Sequence, residues 1–191
     1  MGRSWHASSP LNPYLARSSP LTDGILHEPR RIKKGDHLSN FSCGVDSLDE
    51  WLKRFALRNQ RANNAVTYVT TLNDEVVGYY ALASGGVSRE TLPKDLPGGS
   101  RPYDVPVIVL ARFAVDSRAQ GKGVGRSLLA DMFRRALAAA DIVGAMGILI
   151  HAHDESAKQF YLHRADFWEM PGEPLHLLLP IKSIRAALES E

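Results

Sequence analysis

The chain has 191 residues, 44% of them hydrophobic, which is enough for one domain with a substantial core, and its 23 basic against 21 acidic residues leave a net charge of only +2. So small a balance does not demand a nucleic-acid partner, the single cysteine, Cys43, cannot form an internal disulfide, and no apolar run has the length of a membrane span or a secretory signal. The expectation is a cytoplasmic protein with no membrane partner.

Residues 1–30 carry Ser8-Ser9-Pro10, Asn12-Pro13, Ser18-Ser19-Pro20 and Glu28-Pro29 without sustained periodicity, which predicts a flexible leader ahead of a domain spanning 31–191. Ser47-x-x-Glu50 has the form of a capping box and predicts a helix with Leu48, Trp51, Leu52, Phe55 and Ala56 on one face and Trp51 buried. Arg54, Arg58 and Arg61 fall at i, i+4 and i+7 of that helix, a stripe suited either to a phosphate backbone or to solvent. The same two readings hold for Arg134 and Arg135 further along the chain.

Residues 65–72 and 75–83, joined by Asn73-Asp74, read as an antiparallel hairpin. The glycines and prolines between Ser84 and Asp104 predict a long loop. A strand rich in Val, Ile and Leu follows over 105–115, and then the run Arg118-Ala119-Gln120-Gly121-Lys122-Gly123-Val124-Gly125-Arg126. Beyond it Leu128, Leu129, Met132, Phe133, Ala136, Leu137 and Ala140 recur at helical spacing. Glycines between a strand and a helix N-terminus let backbone amides approach an anion, where the unpaired N–H groups and the helix dipole favour a pyrophosphate. A Walker loop is excluded, because Gly125-Arg126-Ser127 closes the run, and the alternating Gly121, Gly123 and Gly125 do not form a dinucleotide fingerprint.

A second strand over 147–152, a helix over 156–162, a closing strand over 175–181 and a terminal helix over 183–188 complete a mixed α/β order. His151-x-His153 with Asp154 and Glu155 lacks a third ligand at metal spacing, so no metal is expected; Asp154 and His153 suit the turn and helix cap, and His151 suits a proton relay or a hydrogen bond in the cleft. Cys43 has no identifiable histidine partner and is not expected to be a nucleophile.

The pattern Gln120-x-x-Gly123-x-Gly125, followed by Ala157-x-x-Phe160-Tyr161 and Phe167, resembles the GCN5-related N-acetyltransferases, the GNAT family, over roughly 41–184; Ala165-Asp166 stands where the family usually has Gly before the phenylalanine. The resemblance implies a single GNAT domain with a mixed, mainly antiparallel central sheet, a splayed strand pair and flanking helices. It implies acetyl-CoA as co-substrate, held by the backbone of Phe113, Ala114 and Val115 and by Gln120, Gly121, Lys122, Gly123, Val124 and Gly125, with Arg118 and Arg126 as charged neighbours. An amide near Phe113 then faces the thioester oxygen, and Tyr161 is the general acid toward the coenzyme sulfur; an ordinary phenol pKa of about 10 keeps it protonated at neutral pH.

Within that family, Phe41-Ser42-Cys43-Gly44, Leu48-Asp49-x-Trp51-Leu52, Thr67-Tyr68-Val69, Gly78-Tyr79-Tyr80-Ala81-Leu82 and Leu110-Ala111-Arg112-Phe113-Ala114-Val115-Asp116 resemble the bacterial toxins that acetylate aminoacyl-tRNA. That likeness implies a ribbon-helix-helix antitoxin, a homodimer, and tRNA held by Arg54, Arg58 and Arg61. An α-amine of reference pKa about 7.7 to 8.0 is partly neutral at cellular pH, which suits a chain with no obvious carboxylate in the strand before the loop. The alternatives are a GNAT enzyme for a small amine or a protein N-terminus, and a non-catalytic acyl-coenzyme A binding or antitoxin-docking module.

Overall fold

The structure, a computed structural model, describes residues 25–97 and 99–189. One seven-stranded sheet organises them, in the order β1 (Arg30–Arg31), β2 (Val66–Leu72), β3 (Glu75–Ser88), β4 (Asp104–Val115), β5 (Gly147–His151), β7 (Glu173–Pro180) and β6 (Trp168–Met170). Every neighbouring pair is antiparallel except β4 with β5. The helical segments are α1 (Asp46–Glu50), a π-wound stretch Trp51–Phe55, α2 (Ala56–Arg61), α3 (Val124–Val143), α4 (Glu155–Leu162) and α5 (Ile181–Glu189), with single 3-10 turns at Arg89–Thr91 and Ser117–Ala119. This is the mixed, mainly antiparallel sheet with flanking helices that the family resemblance implies.

The leader expected over 1–30 lies outside the described residues for its first 24 positions. From there the chain runs along β2: Leu26 bridges Leu72, the His27 amide donates to the Thr71 carbonyl at 2.9 Å, and Arg30–Arg31 form β1.

Three sequence expectations are corrected. The capping box does not form: Val45 is the N-cap with no side-chain bond, and the first acidic side chain to be used is Asp49, whose Oδ1 accepts from the Cys43 amide at 2.9 Å. The π-wound stretch rotates the apolar face, so Leu52 and Ala56 are buried, Trp51 is half-buried and stacks on Tyr79 at 5.8 Å, and Phe55 is exposed. Finally, the loop expected from Ser84 begins later, because β3 continues to Ser88 and pairs with the start of β4 through Ser88 and Asp104. Gly85 is the reason this strand reads as a loop: a Cβ there would lie 2.5 Å from Val109 Cγ2, so only glycine permits the close approach.

The hairpin turn Asn73-Asp74 is as predicted, with both residues at positive φ (49° and 65°), the conformation that matches the twist of a two-residue hairpin. One face of the sheet packs on α3, whose Leu128, Leu129, Met132, Phe133 and Ala136 are buried among Ile148, Ile150, Leu177 and Leu179. The other carries α1 and α2 against Phe41, Val69, Val76 and Tyr79.

β4 and β5 pair only from Val107–Gly147 to Leu110–Ile150. Beyond that point β4 continues through Phe113 to Val115 without β5, while β5 ends at His151 and gives way to α4. The predicted splay is therefore present. It opens the sheet where the functional residues collect.

Candidate active site

Two cavities meet at Tyr161. The first, about 480 Å³, is lined by Phe113, Ala114 and Val115 of β4, by Gln120, Gly121, Gly123, Gly125 and Arg126 of the loop and α3, and by Ala157, Phe160, Tyr161 and Arg164 of the α4 region. Cys43, Val45 and Leu48 close it from the α1 side. The second, about 250 Å³, shares Leu48, Phe113, Ala157 and Tyr161 and adds Ser47, Arg112, His151 and His153.

The loop is shaped by backbone. Gly121 and Gly123 have φ of +73° and +84°, values that L side chains rarely adopt, and Gly123 is the N-cap of α3 without a side-chain cap. The bond from the Ser127 amide to the Gly123 carbonyl, 3.1 Å, opens the helix, so the Val124 and Gly125 amides precede its hydrogen-bonded ladder. Gln120 fixes the loop from below, its Nε2 donating to the carbonyls of Val115 at 3.0 Å and Cys43 at 3.1 Å. Apolar walls from Phe113, Ala114, Val115 and Phe160, with the glycine loop and the start of α3 at one end, suit a pantetheine arm followed by a pyrophosphate.

The expected loop residues do not all gather at that channel. Arg118, expected beside the phosphates, turns the other way: its Nε donates to Asp116 Oδ1 and its Nη1 to Glu75 Oε2, each at 2.9 Å. Together with Lys122 it lines a separate cavity against Leu72, Asn73 and Val77. Asp116 is the pivot of this arrangement, buried and accepting from the amides of Arg118 (2.9 Å) and Ser42 (3.1 Å). Burial by itself raises its pKa, but the Arg118 side chain and those amides more than offset this and hold the carboxyl below its ordinary range. Arg118 thus fastens the loop to the hairpin and to the segment before α1.

Tyr161 lies on α4, whose first turn is capped by Asp154, Oδ1 accepting from the Ala157 amide at 2.7 Å. Its ring sits edge-on to Phe113 at 6.0 Å, Phe160 at 5.2 Å and Phe167 at 6.1 Å. Burial pushes its pKa up, so the phenol stays protonated and is a donor at any physiological pH. The turn after α4 closes on Asp166 without positive φ, with the Phe167 amide donating to the Ala165 carbonyl at 2.9 Å. Glycine is not needed there.

Arg54, Arg58 and Arg61 are exposed on the helical segment that begins beside the second cavity, with Arg54 ion-paired to Glu50 at 2.6 Å. Arg135 is committed elsewhere: it bonds Asp131 at 2.8 Å and the Pro29 carbonyl at 2.9 Å and lies 4.2 Å from the Tyr68 ring. Among the described residues no group of three or more His, Cys, Asp or Glu is placed to hold a metal, and no helix is long and apolar enough to cross a membrane.

Sequence reasoning missed Arg164, whose guanidinium lies 3.7 Å from the Phe160 ring on the channel wall, and the stacking of His151 on His176 at 4.0 Å. The first had a signal, a cation four residues after Phe160, just past the end of its helix. The second had none, because the pairing of β5 with β7 is what brings those two rings together.

A family model described as the acetyltransferase (GNAT) family matches residues 33–167, more than half of the chain. The chain is 44% identical over 163 residues to the tRNA-acetylating toxin of Mycobacterium tuberculosis, covering 84% of this chain and 95% of that protein. A solved structure of AtaT complexed with acetyl-methionyl-tRNAfMet is similar with a TM-score of 0.76 at 28% identity, covering 86% of this chain and 99% of that one. A mutant AtaT toxin bound to the C-terminus of the antitoxin AtaR and acetyl-CoA is similar with a TM-score of 0.74 at 26% identity, covering 87% and 99%.

Proposed function

This chain belongs to the acetyltransferase (GNAT) family, and we propose that it is a toxin that moves the acetyl group of acetyl-CoA onto the α-amine of an aminoacyl-tRNA. An acetylated α-amine cannot form a peptide bond, so translation stops. The observation that carries this reading is the junction at Tyr161, where a coenzyme-shaped channel meets a second cavity beside the arginine-bearing helix, in a chain 44% identical to a tRNA-acetylating toxin.

Phe113, Ala114 and Val115 would hold the pantetheine arm through the free edge of splayed β4, and the amides around Gly121, Gly123, Val124 and Gly125 would hold the pyrophosphate, with Arg126 and Arg164 beside it. The acceptor amine would enter from the second cavity. Attack of its lone pair on the thioester carbon forms the amide nitrogen–carbon bond, an amide near Phe113 steadies the oxyanion, and Tyr161 protonates the departing sulfur. Arg54, Arg58 and Arg61 would grip tRNA phosphates outside the cavity. A ribbon-helix-helix antitoxin would restrain the enzyme in the cytoplasm, and a homodimer is the expected assembly.

Induced expression of residues 25–191 in a bacterial host tests the reading. Growth and amino-acid incorporation should both arrest, and Tyr161→Phe should relieve the arrest. Unimpeded translation with soluble wild-type protein present would favour a small-amine acceptor instead.

A further inference from the structure

The acceptor's nitrogen must lose a proton as the new bond forms, and β4 offers no carboxylate for it: its one acidic residue, Asp104, lies at the strand's far end, paired with Ser88. The second cavity holds another kind of base. His151 ends β5 opposite His176 of β7, and the two imidazoles stack with centroids 4.0 Å apart and planes 18° from parallel. His151 lines the same cavity as Tyr161. We infer that His151 is the base that takes the proton of the attacking amine, and that His176 is a positioning residue that keeps the His151 ring neutral and fixed.

The groups facing His151 come from three elements and from the turn after β5, which brings His153 to the same cavity. His176 and Glu173 approach from β7, with His176 Nδ1 3.8 Å from Glu173 Oε2; Arg112 approaches from β4; Tyr161 faces the cavity from α4. His151 is exposed as a whole residue, but the partial burial of its ring, and then His176, lower its pKa from the ordinary value, while Glu173 opposes them and Arg112 adds to them. Two imidazolium rings at 4.0 Å repel, so the arrangement favours a neutral base where the cytoplasm operates. A weak base suffices, because the nitrogen becomes strongly acidic once its lone pair has joined the carbonyl carbon. The N–H proton moves to His151, the carbonyl pair re-forms as the carbon–sulfur bond breaks, and the sulfur takes the Tyr161 proton. The proton on His151 then returns to the Tyr161 phenolate through the cavity both line, leaving amide, free coenzyme thiol and an unchanged enzyme.

This inference rests on the acceptor assignment above, and its test separates the two. Acetyl transfer from labelled acetyl-CoA to a mixed pool of aminoacyl-tRNA is measured between pH 5.5 and 8 for wild type, His151→Asn and His176→Asn. For wild type, log kcat/KM should rise with pH with slope one from the substrate amine, steepening below the His151 pKa. His151→Asn should lose about 10²-fold in kcat/KM at pH 6.5, lose the steep limb, retain coenzyme affinity by calorimetry, and recover in part with added imidazole. In His176→Asn the steep limb should move to higher pH with KM unchanged. A His151→Asn enzyme within threefold of wild type, or one whose loss is the same at every pH and untouched by imidazole, overturns the role. Wild type that acetylates a free polyamine but no aminoacyl-tRNA would overturn the acceptor assignment alone, and the same pH comparison on the polyamine would still decide on His151.

Discussion

Gly125 and Phe160 face each other in the wall of the larger cavity, so closely that a Cβ on Gly125 would lie 3.4 Å from Cε2 and Cζ of the ring and 3.6 Å from Val115 Cγ2. The first turn of α3, the side of α4 and the end of β4 therefore meet at one constriction. Its width is set by the absence of a side chain. Gly125→Val should push Phe160 into the channel and weaken acetyl-CoA binding at least tenfold by calorimetry, with the circular dichroism spectrum retained. Gly123→Asp should abolish binding by placing a carboxylate among the phosphate amides and by straining a position at φ +84°. Affinity unchanged in both variants would place the coenzyme elsewhere.

Tyr161→Phe preserves the ring contacts with Phe113, Phe160 and Phe167 and removes only the proton donor. Turnover should fall about 10²-fold or more, while coenzyme affinity and melting temperature stay near wild type. A variant with normal turnover would exclude general acid catalysis by this residue. A loss confined to KM would assign it to binding instead.

Asp116 and Arg118 supply a prediction about stability rather than chemistry. The folded-state pKa of Asp116 is depressed, so its contribution is present above the unfolded carboxylate range and lost as pH falls through the folded value. Asp116→Asn should therefore cost about 1–3 kcal/mol in urea unfolding at pH 7, and the gap to wild type should shrink as the pH is lowered toward 3. Arg118→Ala should also destabilise yet leave coenzyme affinity within threefold. A large loss of affinity with stability intact would return Arg118 to the phosphates.

Much of this site was legible in the chain. The glycine spacing, the strand before it, and Ala157, Phe160 and Tyr161 each carry a local pattern, and that was enough to bring these residues to one cavity. What was not legible depends on distant partners. Arg118 reads as a phosphate ligand until the hairpin brings Glu75 to it, and Ser47-x-x-Glu50 reads as a cap until the helix starts two residues earlier, with Val45 as its N-cap. β6, only Trp168–Met170, is too short to show a period, and Gly85-Gly86 reads as loop because glycine's reason for being in a strand, the crowding of Val109, is a cross-strand fact.

The exposed arginines should report on the size of the acceptor. Replacing Arg54, Arg58 and Arg61 together by Glu should abolish acetylation of aminoacyl-tRNA and, where residual binding is measurable, flatten its dependence on salt, because fewer counterions are released. Acetyl-CoA binding should be untouched. Wild-type activity and salt slope in this variant would mean that the helix does not meet the RNA.

The most direct test of the account is mass spectrometry of the acceptor itself. Purified wild-type protein is incubated with acetyl-CoA and a mixed pool of charged tRNA, the RNA is digested, and the 3′ aminoacyl-adenosine products are weighed. The account predicts at least one species heavier by an acetyl group on its α-amine, absent with Tyr161→Phe. Unmodified aminoacyl-adenosine throughout, with acetyl transfer to a free polyamine or peptide in a parallel reaction, would contradict it.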